Sequence, residues 1–507
     1  MKTPSGAHLR RTDLAAPVGF NGIAQLAPVV VTLAITPLLL HRLGLDRFGI
    51  WSLVLVMLTT LTSLDGGVSA SLARFFAMHA AQGDRTDIAR LLLASLLFFA
   101  VVGLGLTAAA LIFADALVAL LDIPTELRGE AAFALHWLPT LVVLALAADA
   151  TAALLQGTGR FRALAGTMVA SSAAFAFAVI MLVGPGAHLR ALVLATAVRY
   201  ASLAVAGLAL ARSHLSIRRP LLPSRSALRE LGRYASRMQL SAITGFVNSQ
   251  LDALVIAAVL PVRYVGLYNL GFQAAAAVRG LPLYVFAPVL TRLTTSFGSH
   301  GRAETAREFE RLERRWLPAV LGYGVVTVAA IGFAVPIWVG DRYALSGVVA
   351  AMLLSCYMVH VGLTGMRTCY VRAIGRPGLE ARYSLVWTVG NSILTVPLTI
   401  VAGVPGVVGA TAVTGIAASL YFVALCSRTE GLAVVLPGRR WLGMAVIAAG
   451  LTVIGELAIL RLDVHGFLAL CLAGVPVVVG LATFADGVSQ APSSVSSGRR
   501  VWSHVSR

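Results

Sequence analysis

Fourteen long apolar runs follow one another along this chain, separated by short polar segments. A run of about 20 apolar residues crosses the hydrocarbon core of a bilayer as a helix, and in lipid only helices and closed barrels pair every backbone group. The sequence therefore predicts an all-α polytopic membrane protein with about 14 transmembrane helices. We place these segments at residues 18–41, 48–76, 89–114, 131–155, 164–184, 188–211, 231–258, 265–297, 315–340, 344–372, 381–402, 405–427, 441–460 and 465–485.

Composition excludes a soluble protein. Mean hydropathy is +0.85 and 12% of the residues are charged, about half of the ~25% that is usual in soluble domains. The four cysteines lie in or at the ends of apolar runs, which argues against a disulfide framework and against a metal site; they are Cys356, Cys369, Cys426 and Cys471. We predict no metal and no cofactor.

The basic residues are distributed asymmetrically between alternate loops. With a cytoplasmic N-terminus, the inner loops, helix ends and tails carry 31 of the 40 basic residues and the outer loops carry seven; Arg199 and Arg279 lie inside helices. This is the positive-inside pattern, so both termini are predicted to be cytoplasmic. The net charge of +18 then reflects membrane topology, and we predict no nucleic-acid partner.

Two short sequences recur with nearly the same spacing. LGLDRFGIWSL begins at Leu43 and LPVRYVGLYNL at Leu260, 217 residues later, and both are predicted loops. LQGTGRF and VRAIGRP place Gly159-Arg160 and Gly375-Arg376 at an offset of 216. Although Leu- and Gly-rich loops can match by chance, two echoes with one period favour a parallel repeat of two six-helix lobes, related by an axis along the membrane normal.

The repeat predicts five parts of the chain. They are an N-terminal six-helix lobe (1–211), a basic cytoplasmic linker (212–230), a C-terminal six-helix lobe (231–427), two additional transmembrane helices (428–485) and a disordered cytoplasmic tail (486–507).

Ionisable residues deep in a membrane helix are costly and are therefore candidate functional residues. Arg279 is far from either end of its segment and shares a helix face with Tyr268. Arg199 lies near the middle of another segment. A guanidinium can hold a diphosphate with two hydrogen bonds, so we expect one arginine of each lobe to face a shared cavity. The alternative for each is an ion pair that only stabilises the fold.

Other polar residues complete the predicted site. Asn248 and Asp252 lie on a polar stripe of one helix, and Arg74 and Asp149 lie near cytoplasmic helix ends. The predicted substrate-binding residues are Arg279, Arg199, Asn248, Tyr268 and Arg74. The candidates for ion coupling are Asp252, Asp65 and Asp149, for each of which a structural role stays open. Glu456, outside the repeat, is the weakest candidate.

The repeated segments and their surroundings resemble bacterial polysaccharide flippases. The resemblance rests on LGLDRFGIWSL, on SLDGGVSASLARFF from Ser63, and on VNSQLDALVIAAVLPVRYVGLYNLGFQAAAAVRGLP from Val247. These flippases belong to the multidrug/oligosaccharidyl-lipid/polysaccharide exporter superfamily. The resemblance covers about 85% of the chain.

The resemblance implies a function in the bacterial inner membrane. It implies transfer of an undecaprenyl-diphosphate-linked glycan to the periplasmic leaflet for O-antigen or exopolysaccharide synthesis. The implied partners besides this glycan are membrane lipids, a polysaccharide polymerase and glycosyltransferases. A small-molecule or multidrug antiporter of the same superfamily has the same plan. A membrane glycosyltransferase or polymerase, or another lipid transporter such as a peptidoglycan-precursor flippase, also stays open. The sequence has no HExxH motif and no P-loop, and we predict that the chain is not an enzyme.

Overall fold

The structure, a computed structural model, describes residues 12–63, 68–184, 186, 188–212, 250–283 and 285–433. Over these ranges the regular secondary structure is helical, which confirms the predicted all-α class. Eight helices in the described part of the chain are long and apolar enough to span a membrane. The predicted total of fourteen is not confirmed. Most of the segment 231–258, the two C-terminal segments and the tail lie outside the described residues.

The helices are numbered here in chain order. They are α1 (Thr12–Ser63), α2 (Val68–Ala81), α3 (Arg85–Leu120), α4 (Arg128–Gly157), α5 (Phe161–Leu182), α6 (Leu189–Ala211), α7 (Gln250–Val259), α8 (Arg263–Leu283), α9 (Phe286–Val339), α10 (Ala344–Ala373) and α11 (Pro377–Glu430). Single 3₁₀ turns at Thr125–Leu127 and Asp341–Tyr343 precede α4 and α10.

Three of these helices are more than twice the length of a single span, and each is broken at one glycine. The breaks are at Gly44 in α1, Gly301 in α9 and Gly403 in α11, all with positive φ. Glycine adopts this backbone conformation without the steric cost that other residues meet. The segment beginning at Leu43, which the sequence predicts to be a loop, is therefore helical on both sides of Gly44.

The second pair of repeated sequences forms the same turn twice. Gly159 and Gly375 follow α4 and α10 with φ of 74° and 73°. After each glycine, the amide of Arg160 or Arg376 donates at 2.8 Å to a carbonyl five residues earlier. A positive-φ glycine with this 6→1 bond is the Schellman ending of a helix. The repeated sequence thus adopts the same backbone conformation at both positions.

The two repeated arginines also both hydrogen-bond near the end of a later helix. The Arg160 guanidinium donates to the carbonyl of Leu210 near the end of α6. The Arg376 guanidinium donates at 2.9 Å to Glu430 in the last turn of α11. Both arginines thus place positive charge at the C-terminal end of a helix, where it interacts favourably with the helix dipole.

The contacts between helices divide the chain into two compact units. The first comprises Met1–Asn269 with Thr399–Val404, and α4 packs there against α1, α2, α3 and α6. The second comprises Leu270–Leu398 with Pro405–Arg507, and its most extensive packing is between α9 and α10. Where the predicted lobes begin and end stays a prediction.

A buried polar cluster joins the two arms of α11. Asn391 is fully buried, and its Oδ1 accepts from the hydroxyls of Thr395 at 3.1 Å and Thr411 at 3.2 Å. Hydrogen bonds between helices in lipid contribute about 0.6 kcal/mol each. The cluster therefore holds the arm before Gly403 against the arm after it.

A proline ends α8. The sequence predicts one kinked segment over 265–297, but α8 ends at Leu283 and α9 begins at Phe286. Pro282 has no amide hydrogen to donate to the carbonyl of Val278, four residues earlier. The hydroxyl of Tyr323 donates to that carbonyl instead, at 2.9 Å. Pro288 lies in the first turn of α9, where backbone amides have no acceptor within the helix, so a proline there removes no helical hydrogen bond.

Replacing Tyr323 with phenylalanine is expected to lower the free energy of unfolding by about 1–2 kcal/mol, because the Val278 carbonyl loses its donor in an apolar setting. Thermal unfolding of the purified protein measures the change. Tyr421→Phe, at an exposed tyrosine of α11, is the matched control and is expected to leave the melting temperature unchanged. Equal melting temperatures for the two variants would contradict this role of Tyr323.

Candidate transport site

Arg279 lies on α8 with a half-buried side chain. Its guanidinium carbon is 4.2 Å from the ring centroid of Tyr357 on α10, which is a cation–π contact. Among the residues that the structure describes, no carboxylate lies within ion-pairing distance of Arg279. An aromatic face orients a guanidinium without neutralising it, so the positive charge stays available to an anion.

A histidine lies near this arginine. His360 follows Tyr357 by three residues, one helical turn, and its ring centroid is 4.5 Å from that of Trp387 on α11. Its Nδ1 lies 2.9 Å from the Ser419 hydroxyl. Sequence reasoning missed His360, although a histidine inside a predicted span is itself a signal for a candidate functional residue.

Arg199 lies on α6 and is also half-buried. Its guanidinium carbon is 5.6 Å from the Phe175 ring centroid and 5.8 Å from that of Tyr200. No carboxylate in the described ranges forms an ion pair with it. Asp149 has an exposed side chain on α4 and interacts electrostatically with Tyr200. Arg199 thus resembles Arg279 in having aromatic neighbours and no ion-pair partner among the described residues.

The structure brings two of the predicted site residues together. The Tyr268 hydroxyl donates to the Asp252 carboxylate at 3.0 Å, and each residue is 3% exposed. A hydrogen bond to a carboxylate is among the stronger ones, at about 1.5–3 kcal/mol. The pair joins α7 to α8 inside the first unit. Whether Asp252 also takes part in ion coupling stays a prediction.

Several predicted residues cannot be placed. Asp65, Asn248 and Glu456 lie outside the described residues. Arg74 lies in α2, and only its backbone is described. Within the described ranges, no three His, Cys, Asp or Glu side chains come together as a metal site.

Sequence reasoning also missed Glu130, which joins three helices at their predicted outer ends. Its carboxylate accepts from the Arg47 side chain at 3.0 Å and from the backbone amide of Leu189 at 2.9 Å. The ring Nδ1 of His188 lies 2.8 Å from the same carboxylate. Glu130 therefore links α1 and α4 to the first turn of α6, where negative charge is favourable.

A buried ion pair in the second unit was likewise not predicted. The Nε of Arg367 on α10 lies 2.8 Å from a carboxylate oxygen of Glu313 on α9, and its Nη2 donates to the other oxygen at 3.0 Å. The side chains are 1% and 4% exposed. Nη2 also donates to the Ala433 carbonyl at 3.0 Å. The signal in the sequence was Arg367 itself, five residues inside the predicted end of its segment.

Comparison with known proteins assigns the chain to a family. The profile of a polysaccharide biosynthesis protein family matches residues 14–293, more than half of the chain. Comparison with curated proteins gives no match.

The fold itself is similar to those of several solved transporters. A structure titled "Lipid II flippase MurJ, inward closed conformation" aligns with a TM-score of 0.66 and 14% identity over 93% of this chain and 98% of the other. An inward-facing multidrug resistance MATE family transporter aligns with a TM-score of 0.61 and 15% identity over 81% and 94%. The MATE multidrug transporter DinF-BH, in complex with R6G, aligns with a TM-score of 0.60 and 15% identity over 85% and 99%. At this identity the likeness shows the fold alone, a polytopic transporter fold. The family match is the stronger finding, and by it this chain belongs to the polysaccharide biosynthesis protein family.

Proposed function

We propose that this chain flips an undecaprenyl-diphosphate-linked oligosaccharide from the cytoplasmic to the periplasmic leaflet of the bacterial inner membrane. The product would serve the synthesis of a surface polysaccharide, either O-antigen or exopolysaccharide. Membership of the polysaccharide biosynthesis family supports the substrate class, and the likeness to a lipid II flippase supports a lipid-linked cargo. A polymerase that joins the flipped units, and glycosyltransferases that build them, are the expected partners.

The observation that carries the proposal is the charge of Arg279. Its guanidinium is half-buried, rests on the Tyr357 ring, and is compensated by no carboxylate of the described residues. Such a charge in a membrane helix is costly unless an anion binds it. A diphosphate supplies that anion and accepts two parallel hydrogen bonds from a guanidinium. Arg199 has the same features on α6 and is the second proposed contact.

The proposed mechanism is alternating access. The glycan and the diphosphate would occupy a polar path through the protein while the polyprenyl tail stays in lipid. Opening the path first to one side of the membrane and then to the other moves the head group across without exposing it to hydrocarbon. Asp252, Asp65 and Asp149 stay candidates for ion coupling.

The alternative within the superfamily is a small-molecule or multidrug antiporter, which the likeness to MATE transporters keeps open. Uncompensated arginines favour an anionic substrate and disfavour a cationic drug, because like charges repel in a medium of low dielectric constant. The alternative thus predicts that removing Arg279 leaves drug efflux intact or improves it.

Arg279→Ala is expected to reduce surface polysaccharide about tenfold, which corresponds to the loss of a single charge-assisted contact. Lipid-linked oligosaccharide should accumulate at the same time, since synthesis of the unit continues while its transfer slows. The measurement uses a deletion strain that carries each variant, followed by lipid extraction and quantification of both glycan pools. Arg190→Ala is the matched control, because Arg190 also stacks on an aromatic ring, that of Phe133 at 4.8 Å, but is exposed.

The amounts of lipid-linked and surface glycan distinguish a wrong flippase proposal from a wrong role for Arg279. If the deletion strain itself accumulates no lipid-linked unit and keeps its surface glycan, the flippase proposal is wrong and drug efflux should be measured. If Arg279→Ala restores the deletion strain as fully as wild type does, the flippase proposal stands and the role of Arg279 is wrong.

A further inference from the structure

A groove in the second unit has no part in the function proposed above. It has a volume of about 440 Å³ and lies among the end of α8, the start of α9, the middle of α9 and one residue of α10. Its walls include Val289, Val320 and Met366, which are buried aliphatic or thioether side chains. Among the described residues that line the groove, three have polar groups at the ends of their side chains: Arg315, Trp316 and Tyr323.

The polar groups within the groove are already occupied. The Tyr323 hydroxyl donates to the Val278 carbonyl at 2.9 Å, and the Trp316 indole donates to the Val361 carbonyl at 3.3 Å. A polar ligand in the groove would therefore lose its hydrogen bonds to water and gain none from these two side chains. The chemistry of the walls selects a hydrocarbon chain.

The polar rim of the groove is positively charged. Arg315 has an exposed side chain, and no carboxylate of the described residues pairs with it. Three other arginines of α9 differ, because Arg292 pairs with Glu308, and Arg307 and Arg311 pair with Glu304. An occupant with its chain in the groove would thus place its head group beside a guanidinium that has no carboxylate partner in the described part of the chain.

The position of Arg315 along α9 indicates the membrane level. It lies at the predicted cytoplasmic end of a span, and Tyr323 is eight residues further in, about 12 Å at 1.5 Å per residue. The groove therefore runs from the predicted inner interface into the hydrocarbon region. Basic pockets between helices on this side of a membrane bind the phosphate head groups of lipids.

We propose that this groove binds an anionic phospholipid of the cytoplasmic leaflet, with one acyl chain along Val289, Trp316 and Val320 and its phosphodiester on Arg315. A single guanidinium matches the single negative charge of a phosphodiester. A diphosphate carries more charge and would leave part of it unpaired here, so the proposed occupant is a membrane lipid and not the transported cargo. The bound lipid would fix the junction between α8 and α9.

Quenching of tryptophan fluorescence tests the proposal directly, because Trp316 lines the groove. Phosphatidylglycerol with brominated acyl chains is titrated into the purified full-length protein in micelles of a short-chain, unlabelled phosphatidylcholine. The chain has seven tryptophans, so we expect a saturable component of the quenching that is lost in Trp316→Phe, while quenching of the other six is the same in both proteins. Brominated phosphatidylcholine with the same chains is expected to bind about tenfold more weakly, the difference made by one charge-assisted contact.

Two pairs of variants locate the contacts. Arg315→Ala is expected to weaken the binding of brominated phosphatidylglycerol about tenfold. Arg314→Ala is the control, since Arg314 is also exposed and unpaired among the described residues but does not line the groove. Ala319→Phe should fill the groove and abolish the quenching of Trp316, whereas Ala330→Phe, at an exposed alanine of the same helix, should not.

Several results would overturn the proposal. Equal binding of the two brominated lipids would show that charge does not select the occupant, and equal effects of the two arginine variants would remove Arg315 from the site. A saturable component of quenching that is unchanged in Trp316→Phe would place the lipid elsewhere. Displacement of the quencher by a polyprenyl diphosphate, but not by unlabelled phosphatidylglycerol, would assign the groove to the carrier lipid. These results leave the glycan measurements on Arg279 unaffected.

Discussion

Arg367→Ala is expected to lower the free energy of unfolding by about 3–5 kcal/mol, the usual effect of removing one partner from a buried ion pair. The variant leaves the carboxylate of Glu313 buried without its partner, and it also removes the donor to the Ala433 carbonyl. Together these contacts join α9, α10 and the chain after α11. Thermal unfolding of the purified protein, with the yield of monodisperse protein as a second readout, measures the loss.

The contrast with Arg372→Ala makes this prediction specific. Arg372 is on the same helix and pairs with Glu380, but its side chain is 51% exposed. Exposed ion pairs contribute about 0–1 kcal/mol, so this variant should unfold close to the wild-type temperature. A double variant, Glu313→Leu with Arg367→Met, should recover much of the lost stability because no charge stays buried. If Arg367→Ala and Arg372→Ala unfold at the same temperature, the buried pair does not stabilise the fold as we infer.

Gly49→Val is expected to destabilise the first unit by about 3 kcal/mol or more, because overpacking against backbone has few ways to relax. A Cβ at Gly49 would lie 2.3 Å from the Val262 carbonyl oxygen and 3.2 Å from the Cα of Arg263. A Cβ at Gly266 would lie 3.2 Å from the Cα of Gly49. The two glycines that the sequence repeats at an offset of 217 therefore pack directly against each other.

The distances from a Cβ at each glycine to its neighbours predict the order of stability of three alanine variants. Gly266→Ala requires shifts of a few tenths of an ångström and should destabilise less than Gly49→Ala, which meets a backbone carbonyl at 2.3 Å. Gly105→Ala on α3 is the control, since a Cβ there meets nothing within 4 Å. That variant should be neutral or slightly stabilising, by up to about 1 kcal/mol from helix propensity. Thermal unfolding of the three variants in the same detergent gives the order, and a Gly105→Ala variant as unstable as Gly49→Ala would contradict the packing argument.

The local turn of the second echo was predictable to the residue, but the first echo was not. Gly159-Arg160 and Gly375-Arg376 follow helix ends in both sequence and structure, because a positive-φ glycine terminates a helix by local geometry alone. At Leu43 the sequence predicts a loop, whereas in the structure α1 is broken at the single residue Gly44 and is helical on both sides of it. Within this segment Arg47 pairs with Glu130, which is more than eighty residues away in the sequence.

The candidate site was likewise predictable from the sequence only in part. Arg279 and Arg199 were recognisable because an arginine far from both ends of an apolar segment is costly, and hydropathy alone shows it. Their aromatic neighbours Tyr357 and Phe175 come from other helices, at distances along the chain that no local pattern encodes. Tyr268 was predicted as a substrate-binding residue and Asp252 as a candidate for ion coupling. The hydrogen bond between them follows from how α7 and α8 pack.

By itself the sequence determined that this chain is an all-α membrane protein, because the length of an apolar run is set by the thickness of a bilayer. It also determined which buried charges to suspect. Only the tertiary structure decided which charges are compensated. Arg279 meets an aromatic ring and no carboxylate of the described residues, whereas the buried pair of Arg367 and Glu313, which the sequence analysis did not predict, joins two helices. Compensation depends on distances of a few ångströms between segments far apart in the chain, and such distances are fixed by packing.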